Sequence, residues 1–209
     1  MNNWIVFDAM GVIFEEGDDT DELLIPYIQL RKPQVNTKHI QAIYHQASLG
    51  QIAASDFWQQ VGLGEAYPRI EQEYLDTCLK IDPQFKEIAE ELSQEYLLAI
   101  LSNDIKEWSL HSRRKHELNQ LCQEAVISGE VGYRKPSREI YEILLGRLSA
   151  SAKQCIFVDD REANLLSAIE VGMIPVWYQR KTELKNPKIP HSIQSFEELP
   201  EMVNRIFAE

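Results

Sequence analysis

The hydrophobic segments predict an α/β protein in which helices cover both faces of a parallel sheet. Three observations predict it. Five short apolar runs lack polar alternation: "WIVFD" (4–8), "LLAILSN" (97–103), "EAVIS" (124–128), "CIFVDD" (155–160) and "IPVWY" (174–178). Strands buried on both faces need that composition. Helical patterns separate the last four runs, the alternation that places parallel strands side by side. Residues 9–96, between the first and second runs, exceed what one crossover helix needs and therefore predict an insertion.

The elements follow in order. After the first strand the inserted stretch reads as helical: "DELLIPYIQLR" (21–31), then "NTKHIQAIYHQASLG" (36–50) with Asn36 as N-cap, "SDFWQQVG" (55–62) with Ser55 as N-cap, and "YPRIEQEYLDTCLK" (67–80). Pro83 is placed to open a helix over "PQFKEIAEELSQEY" that returns to the sheet. Beyond the second strand come the helical patterns "DIKEWSLHSRRKHELNQL", "SREIYEILLGRL" and "REANLLSAIEVG", the last stopped by Gly172. Phe57 and Trp58, an apolar pair at helical spacing, are expected in the interior of the insert. The predicted organisation is a core of residues 1–15 and 81–209 with an inserted helical unit of residues 16–80. No repeats or low-complexity tracts interrupt it.

Composition limits the function classes. With 209 residues, 44% of them hydrophobic, the chain can bury a proper core. The net charge of −12 argues against nucleic acid and anionic membranes, which need basic patches. The basic cluster "HSRRKHE" (111–117) reads as a solvated helix face, and so does the acidic run "EEGDDTDE" (15–22) as a solvated loop. Three separated cysteines, Cys78, Cys122 and Cys155, suggest reduced thiols, and no apolar run reaches membrane-spanning length. A cytoplasmic protein is the expectation. No zinc-type spacing of histidine and cysteine occurs.

Ligands of open parallel sheets bind beyond the carboxyl ends of the strands. Asp8, Ser102, Asn103, Asp159 and Asp160 fall at three such ends. Taken singly, each has an ordinary structural use in a cap or turn. Together they converge chemically: a carboxylate to attack, a hydroxyl to donate to an oxyanion, and adjacent acids to hold a hard cation such as Mg²⁺. Lys135, in "GYRKPSREIY", can neutralise a phosphate or keep a nucleophile ionised.

Four segments in this order resemble the motifs of the haloacid dehalogenase superfamily, in the branch with a helical cap after the first motif. "FDAMGVIF" is similar to its nucleophile loop, "AILSN" to its second motif and "GYRKPSREIY" to its lysine segment. "FVDDREANLLSAIEVGM" resembles its acidic fourth motif, with Asn164, Ala168 and Gly172–Met173 in place. The resemblance implies a Rossmann-like three-layer fold with an inserted helical cap domain. It also implies an aspartyl-phosphate on Asp8, a phosphoryl contact from Ser102, and Lys135 bridging Asp8 and the phosphate. Asn103 and Gly11 would lie at the substrate. Mg²⁺ would be held by Asp8, the Met10 carbonyl, Asp159 and Asp160.

Met10 departs from that pattern. The superfamily's phosphatases carry an aspartate there, which protonates the leaving oxygen and then activates water, and methionine does neither. Such acid–base help is worth about 10²–10⁴-fold. The expected function is a Mg²⁺-dependent phosphatase of a small phosphorylated metabolite that manages without this acid, or takes one from residues 15–22. The alternatives are a weakened or silent phosphate- and metal-binding module, and a phosphonate- or halide-cleaving hydrolase. A phosphonate hydrolase would want a desolvated cap lysine, for which Lys32 and Lys38 are available.

Overall fold

The computed structural model describes residues 3–180 and 185–208. Its centre is a six-stranded parallel sheet in the order β3-β2-β1-β4-β5-β6. The strands are β1 (Trp4–Phe7), β2 (Leu97–Ser102), β3 (Glu124–Ile127), β4 (Cys155–Asp159), β5 (Ile174–Tyr178) and β6 (Ser192–Ile193). The first five are those expected. β6 was missed because a two-residue strand at a sheet edge carries too few apolar positions to show a pattern.

Alternating residues of β1 go to opposite faces, as the two-residue strand period requires. Trp4 and Val6 join α9 (Arg138–Leu148) and α10 (Glu162–Glu170), through Tyr141, Leu144 and Leu165. Ile5 and Phe7 join α5 (Phe85–Leu92) and α11 (Leu199–Ala208), through Phe85, Leu92 and Val203. The sheet is thus the middle of three layers, an α/β Rossmann-like fold. In register, Phe7 lies beside Ile100 of β2 and Val158 of β4. The residues that follow these three strands therefore meet at one rim.

Between β1 and α5 the chain is helical: α1 (Ile25–Arg31), α2 (Thr37–Ala47), α3 (Ala54–Gln60) and α4 (Arg69–Thr77). A π-turn over Thr20–Leu24 leads into α1, and Pro26 sits in the first turn of α1, where no amide donor is needed. Asn36 caps α2 as expected, its Oδ1 accepting the Lys38 amide at 2.8 Å. Ser55 does not cap α3, which starts one residue earlier with Ala53 as N-cap and Asp56 accepting the Ala53 amide. Pro83 does not open α5 either. Asp82 accepts the Gln84 amide at 2.8 Å, and the helix begins at Phe85. The single helix expected over 104–121 is two, α6 (Lys106–Lys115) and α7 (Leu118–Leu121), broken at Glu117 with φ of 59°. A four-residue turn, α8 (Ser128–Val131), follows β3.

The two passages between insert and sheet run side by side. Phe14 bridges Ile81, the Glu15 amide donates to the Lys80 carbonyl, and the Asp82 amide donates to the Ile13 carbonyl. The insert rests on the sheet layer through an aromatic cluster of Tyr44, Phe57, Trp58, Tyr74 and Trp108. Phe57 and Trp58 are fully buried, as expected. Glu71 of α4 accepts from the indole Nε1 of Trp58 (2.9 Å) and of Trp108 on α6 (2.7 Å). The "HSRRKHE" cluster is not simply solvated, since His111 and Lys115 both bond to Asp76 of α4.

Glu71→Ala would strand two buried indole donors, at about 1–3 kcal/mol each. The variant should melt lower in thermal unfolding, by about 2–4 °C for each kcal/mol lost. Glu71→Gln, which keeps one acceptor oxygen, should lose less.

Candidate active site

Asp8 leaves the end of β1 with its amide donating to the Val158 carbonyl (2.9 Å), so the ladder with β4 continues one residue past the strand. Its Oδ1 accepts from the Ala9 amide (2.6 Å) and pairs with Lys135 Nζ at 2.7 Å. The same ammonium reaches Asp159 Oδ2 at 2.8 Å, and all three side chains are buried. Asn103, just past β2, fixes the lysine from behind: its Oδ1 accepts the Lys135 amide (2.8 Å) and its Nδ2 donates to the Lys135 carbonyl (2.9 Å). Asn164 on α10 donates to both oxygens of Asp159, at 3.1 and 2.9 Å. The Arg161 amide donates to Asp159 Oδ1 at 2.7 Å. Asp8, Asn103, Lys135 and Asp159 thus converge at one rim although they are far apart in the chain.

Carboxylate oxygens of Asp8, Asp159 and Asp160 come within 4.8 Å of one another. Burial, then repulsion from Asp159, pushes Asp8 well above the usual carboxylate range, although Lys135 opposes both. Burial and Asp159 push Asp160 up to about 6. Burial alone would lower the Lys135 ammonium, but Asp159 and Asp8 overcome it and hold it above its ordinary value. Lys135 and the Arg161 guanidinium near Asp160 and Asp8 leave three carboxylates incompletely balanced. Asp160 Oδ1 is buried without a hydrogen-bond partner, whereas Asp159 already accepts from three groups. An all-oxygen set with one orphaned oxygen fits a hard divalent cation.

The remaining expected residues are placed as follows. Ser102 ends β2 beside β1, its Oγ buried without a hydrogen-bond partner, and it is not among the residues lining the cleft over Asp8. Gly11 adopts a φ of +80°, and a Cβ there, or at Gly17, would collide with the Asp160 carboxylate. It makes room for an acid and does not line the main cleft. That cleft, about 240 Å³, is walled by Asp8, Met10, Asn103 and Lys135 on the sheet side. Asp19, Gln41, Tyr44 and His45 of the insert close it, with Arg134 and Arg161 at its flanks. The acidic run 15–22 is therefore not uniformly solvated: Glu15, Asp18 and Glu22 are exposed, but Asp19 is half-buried in the cleft wall. Neither Lys32 nor Lys38 reaches the cleft.

Several site residues escaped the sequence reading. Arg180 donates to the carbonyls of Gly11 (3.1 Å) and Val12 (2.5 Å) and pairs with Asp82, tying the end of β5 to the loop after Asp8. Arg134 meets Ser48 of the insert through its hydroxyl. No spacing rule marks such residues, because their partners are more than eighty positions away. Asn164 was visible only as part of the fourth segment.

Comparison with known proteins agrees with this geometry. The family model described as haloacid dehalogenase-like hydrolase matches residues 5–178. The chain is 28% identical over 174 residues to the sesquiterpene phosphatase astK of Aspergillus oryzae, covering 81% of this chain and 86% of that protein. It is 26% identical over 182 residues to the D-ribitol-5-phosphate phosphatase of Bacteroides thetaiotaomicron, covering 80% and 87%. In fold it resembles a 2-haloacid dehalogenase from Pseudomonas syringae pv. tomato, with a TM-score of 0.74 at 18% identity over 98% of this chain and 99% of that one. A Bacteroides thetaiotaomicron family enzyme, solved with magnesium and inorganic phosphate, superposes with a TM-score of 0.68 at 16% identity over 88% and 97%. With the aspartate, serine, lysine and acidic pair gathered at the ends of its central strands, this chain belongs to the haloacid dehalogenase-like hydrolases.

Proposed function

We propose that the protein is a Mg²⁺-dependent phosphatase of a small phosphorylated metabolite, working through an aspartyl-phosphate on Asp8. The observation that carries the reading is Lys135, whose buried ammonium joins Asp8 to Asp159 beside an Asp160 oxygen with no partner. Two relatives named as phosphatases support it, as does a protein of the same fold solved with magnesium and phosphate. Residues 16–80 act as the cap that closes the cleft.

In this reading Asp8 attacks phosphorus, the Ser102 hydroxyl donates to a phosphoryl oxygen, and Lys135 offsets charge on Asp8 and the phosphate. Asn103 holds the lysine at the substrate. Asp8, Asp159, Asp160 and the Met10 carbonyl would hold magnesium, which when bound neutralises the phosphoryl oxygens and aligns them for displacement. Catalysis of this kind is positioning and charge compensation, and the rim supplies both. The insert's side of the cleft is polar, with Gln41, His45 and Asp21 in its wall, and this favours a hydroxylated phosphate ester over a prenyl one.

Met10 favours a second reading, a module that binds phosphate and metal with little turnover. The two separate experimentally. As a phosphatase the protein should release phosphate from p-nitrophenyl phosphate only with Mg²⁺, and Asp8→Asn should abolish release. Binding of Mg²⁺ and phosphate with neither turnover nor an Asp8 adduct would establish the module instead.

Metal binding has its own readout. Mg²⁺ should raise the melting temperature of the resting protein, because a ligand that binds only the folded state stabilises it. Asp160→Asn should abolish most of that rise, and a rise of equal size in this variant would remove Asp160 from the ligand set. Between D-ribitol 5-phosphate and farnesyl phosphate, the polar wall predicts a higher kcat/KM for the former.

A further inference from the structure

The residue two positions after Asp8 is a methionine, so the loop after Asp8 offers no carboxylic acid to a departing oxygen. In-line displacement at phosphorus sends the leaving oxygen away from the nucleophile. Asp8 lines the cleft from the sheet side, and the chain entering the insert lines it with Gly17, Asp18, Asp19, Thr20 and Asp21. Asp19 stands in that wall, in the same cavity of about 240 Å³ as Asp8 and Lys135. It precedes the π-turn at Thr20, whose amide lies by its carboxylate. Asp19 and Asp8 line one continuous cavity, so a phosphate ester bound at Asp8 shares its enclosure with Asp19.

We propose that Asp19 replaces the missing acid, serving the leaving oxygen and then the attacking water. This inference rests on the phosphatase reading above. In the first half-reaction an Asp8 oxygen forms a bond to phosphorus, and the phosphorus–oxygen bond of the ester breaks with its electron pair. The carboxyl proton of Asp19 goes to the departing oxygen, giving the free alcohol and an Asp19 carboxylate. In the second, that carboxylate takes a proton from water as the water oxygen bonds to phosphorus. The bond from phosphorus to Asp8 then breaks, returning the Asp8 carboxylate and inorganic phosphate.

The setting of Asp19 suits both half-reactions. Burial pushes its carboxyl up to about 7, against Arg161 and Arg134 and with help from Asp18, so both protonation states are present near neutrality. From the other packed elements, Tyr44 on α2, Tyr74 on α4 and Asp104 after β2 also face it. The competing groups are less suited. Asp104 does not line the cleft. Burial and Arg134 lower His45, which leaves its imidazole neutral and without a spare proton at pH 7. Asp21 accepts a hydrogen bond from Gln41 at 2.7 Å.

The test compares Asp19→Asn, Asp19→Glu and Asp8→Asn on phenyl phosphate, a poor leaving group, and p-nitrophenyl phosphate, a good one. Asp19→Asn should lower kcat on phenyl phosphate by about 10²-fold or more and on p-nitrophenyl phosphate far less. Asp19→Glu should retain part of the activity. Single-turnover phenol release by the wild type should fall as pH rises through about 7, where Asp19 loses its proton, and Asp19→Asn should lack that limb. Met10→Asp introduced into Asp19→Asn should restore turnover by supplying an acid from the sheet side, which a merely structural role for Asp19 would not allow. An unchanged rate ratio between the two esters in Asp19→Asn, with Asp8→Asn inactive, overturns the role of Asp19 and leaves the phosphatase reading standing. Activity that survives Asp8→Asn, or a wild type inactive on both esters, overturns both.

Discussion

The arrangement depends on a single buried ammonium. Lys135 lies between Asp8 and Asp159 at 2.7 and 2.8 Å, with all three side chains buried. Three carboxylates gathered in a low-dielectric rim repel one another, and each loses hydration on burial. Breaking such a buried arrangement by removing one partner is strongly destabilising. The lysine makes the cluster tolerable without cancelling its charge. Asn103 and Asn164 then have a clear purpose. One clamps the lysine backbone in both directions, and the other clamps both oxygens of Asp159. Neither charge can swing away to find water.

The loop that follows Asp8 is held by a different set of forces. Arg180, arriving from the end of β5, bonds to the carbonyls of Gly11 and Val12 and pairs with Asp82 on the return passage from the insert. Gly11 and Gly17 leave the space that the Asp160 carboxylate fills. One side chain therefore ties the loop after Asp8 to the passage leaving the insert, at the same rim where the acids gather.

The insert supplies part of the cleft lining. Its aromatic cluster seats it on α6, with Glu71 satisfying one indole from each side. Ser128 donates to the Ser48 carbonyl at 2.6 Å, and the insert backbone at Gly50 comes so close to Gly129 that no Cβ would fit between them. Asp19 lies half-buried in the cleft wall, where burial raises its carboxyl above the ordinary range. The same residue in an open acidic loop would be an ordinary solvated carboxylate.

Sequence by itself determined the sheet and the chemical type of its rim. Parallel strands buried on both faces must be continuously apolar, so five of the six announced themselves, and strand ends are where charged residues first become tolerable. Asp8, Asp159 and Asp160 were legible for that reason, and Ser102 and Lys135 by their place in recurring segments. Local chemistry was read less well where the tertiary contacts override it. Ser55 gave way to Ala53 as a cap, Pro83 to Gln84, and the break at Glu117 left no mark in the helical pattern. Only the tertiary structure decided which of the acids in 15–22 leaves water, how Asp160 keeps an oxygen free while Asp159 does not, and that Arg180 reaches back to Gly11. Each of these depends on a partner distant in the chain, and neither periodicity nor spacing encodes the distance between two segments that meet only after the sheet has formed.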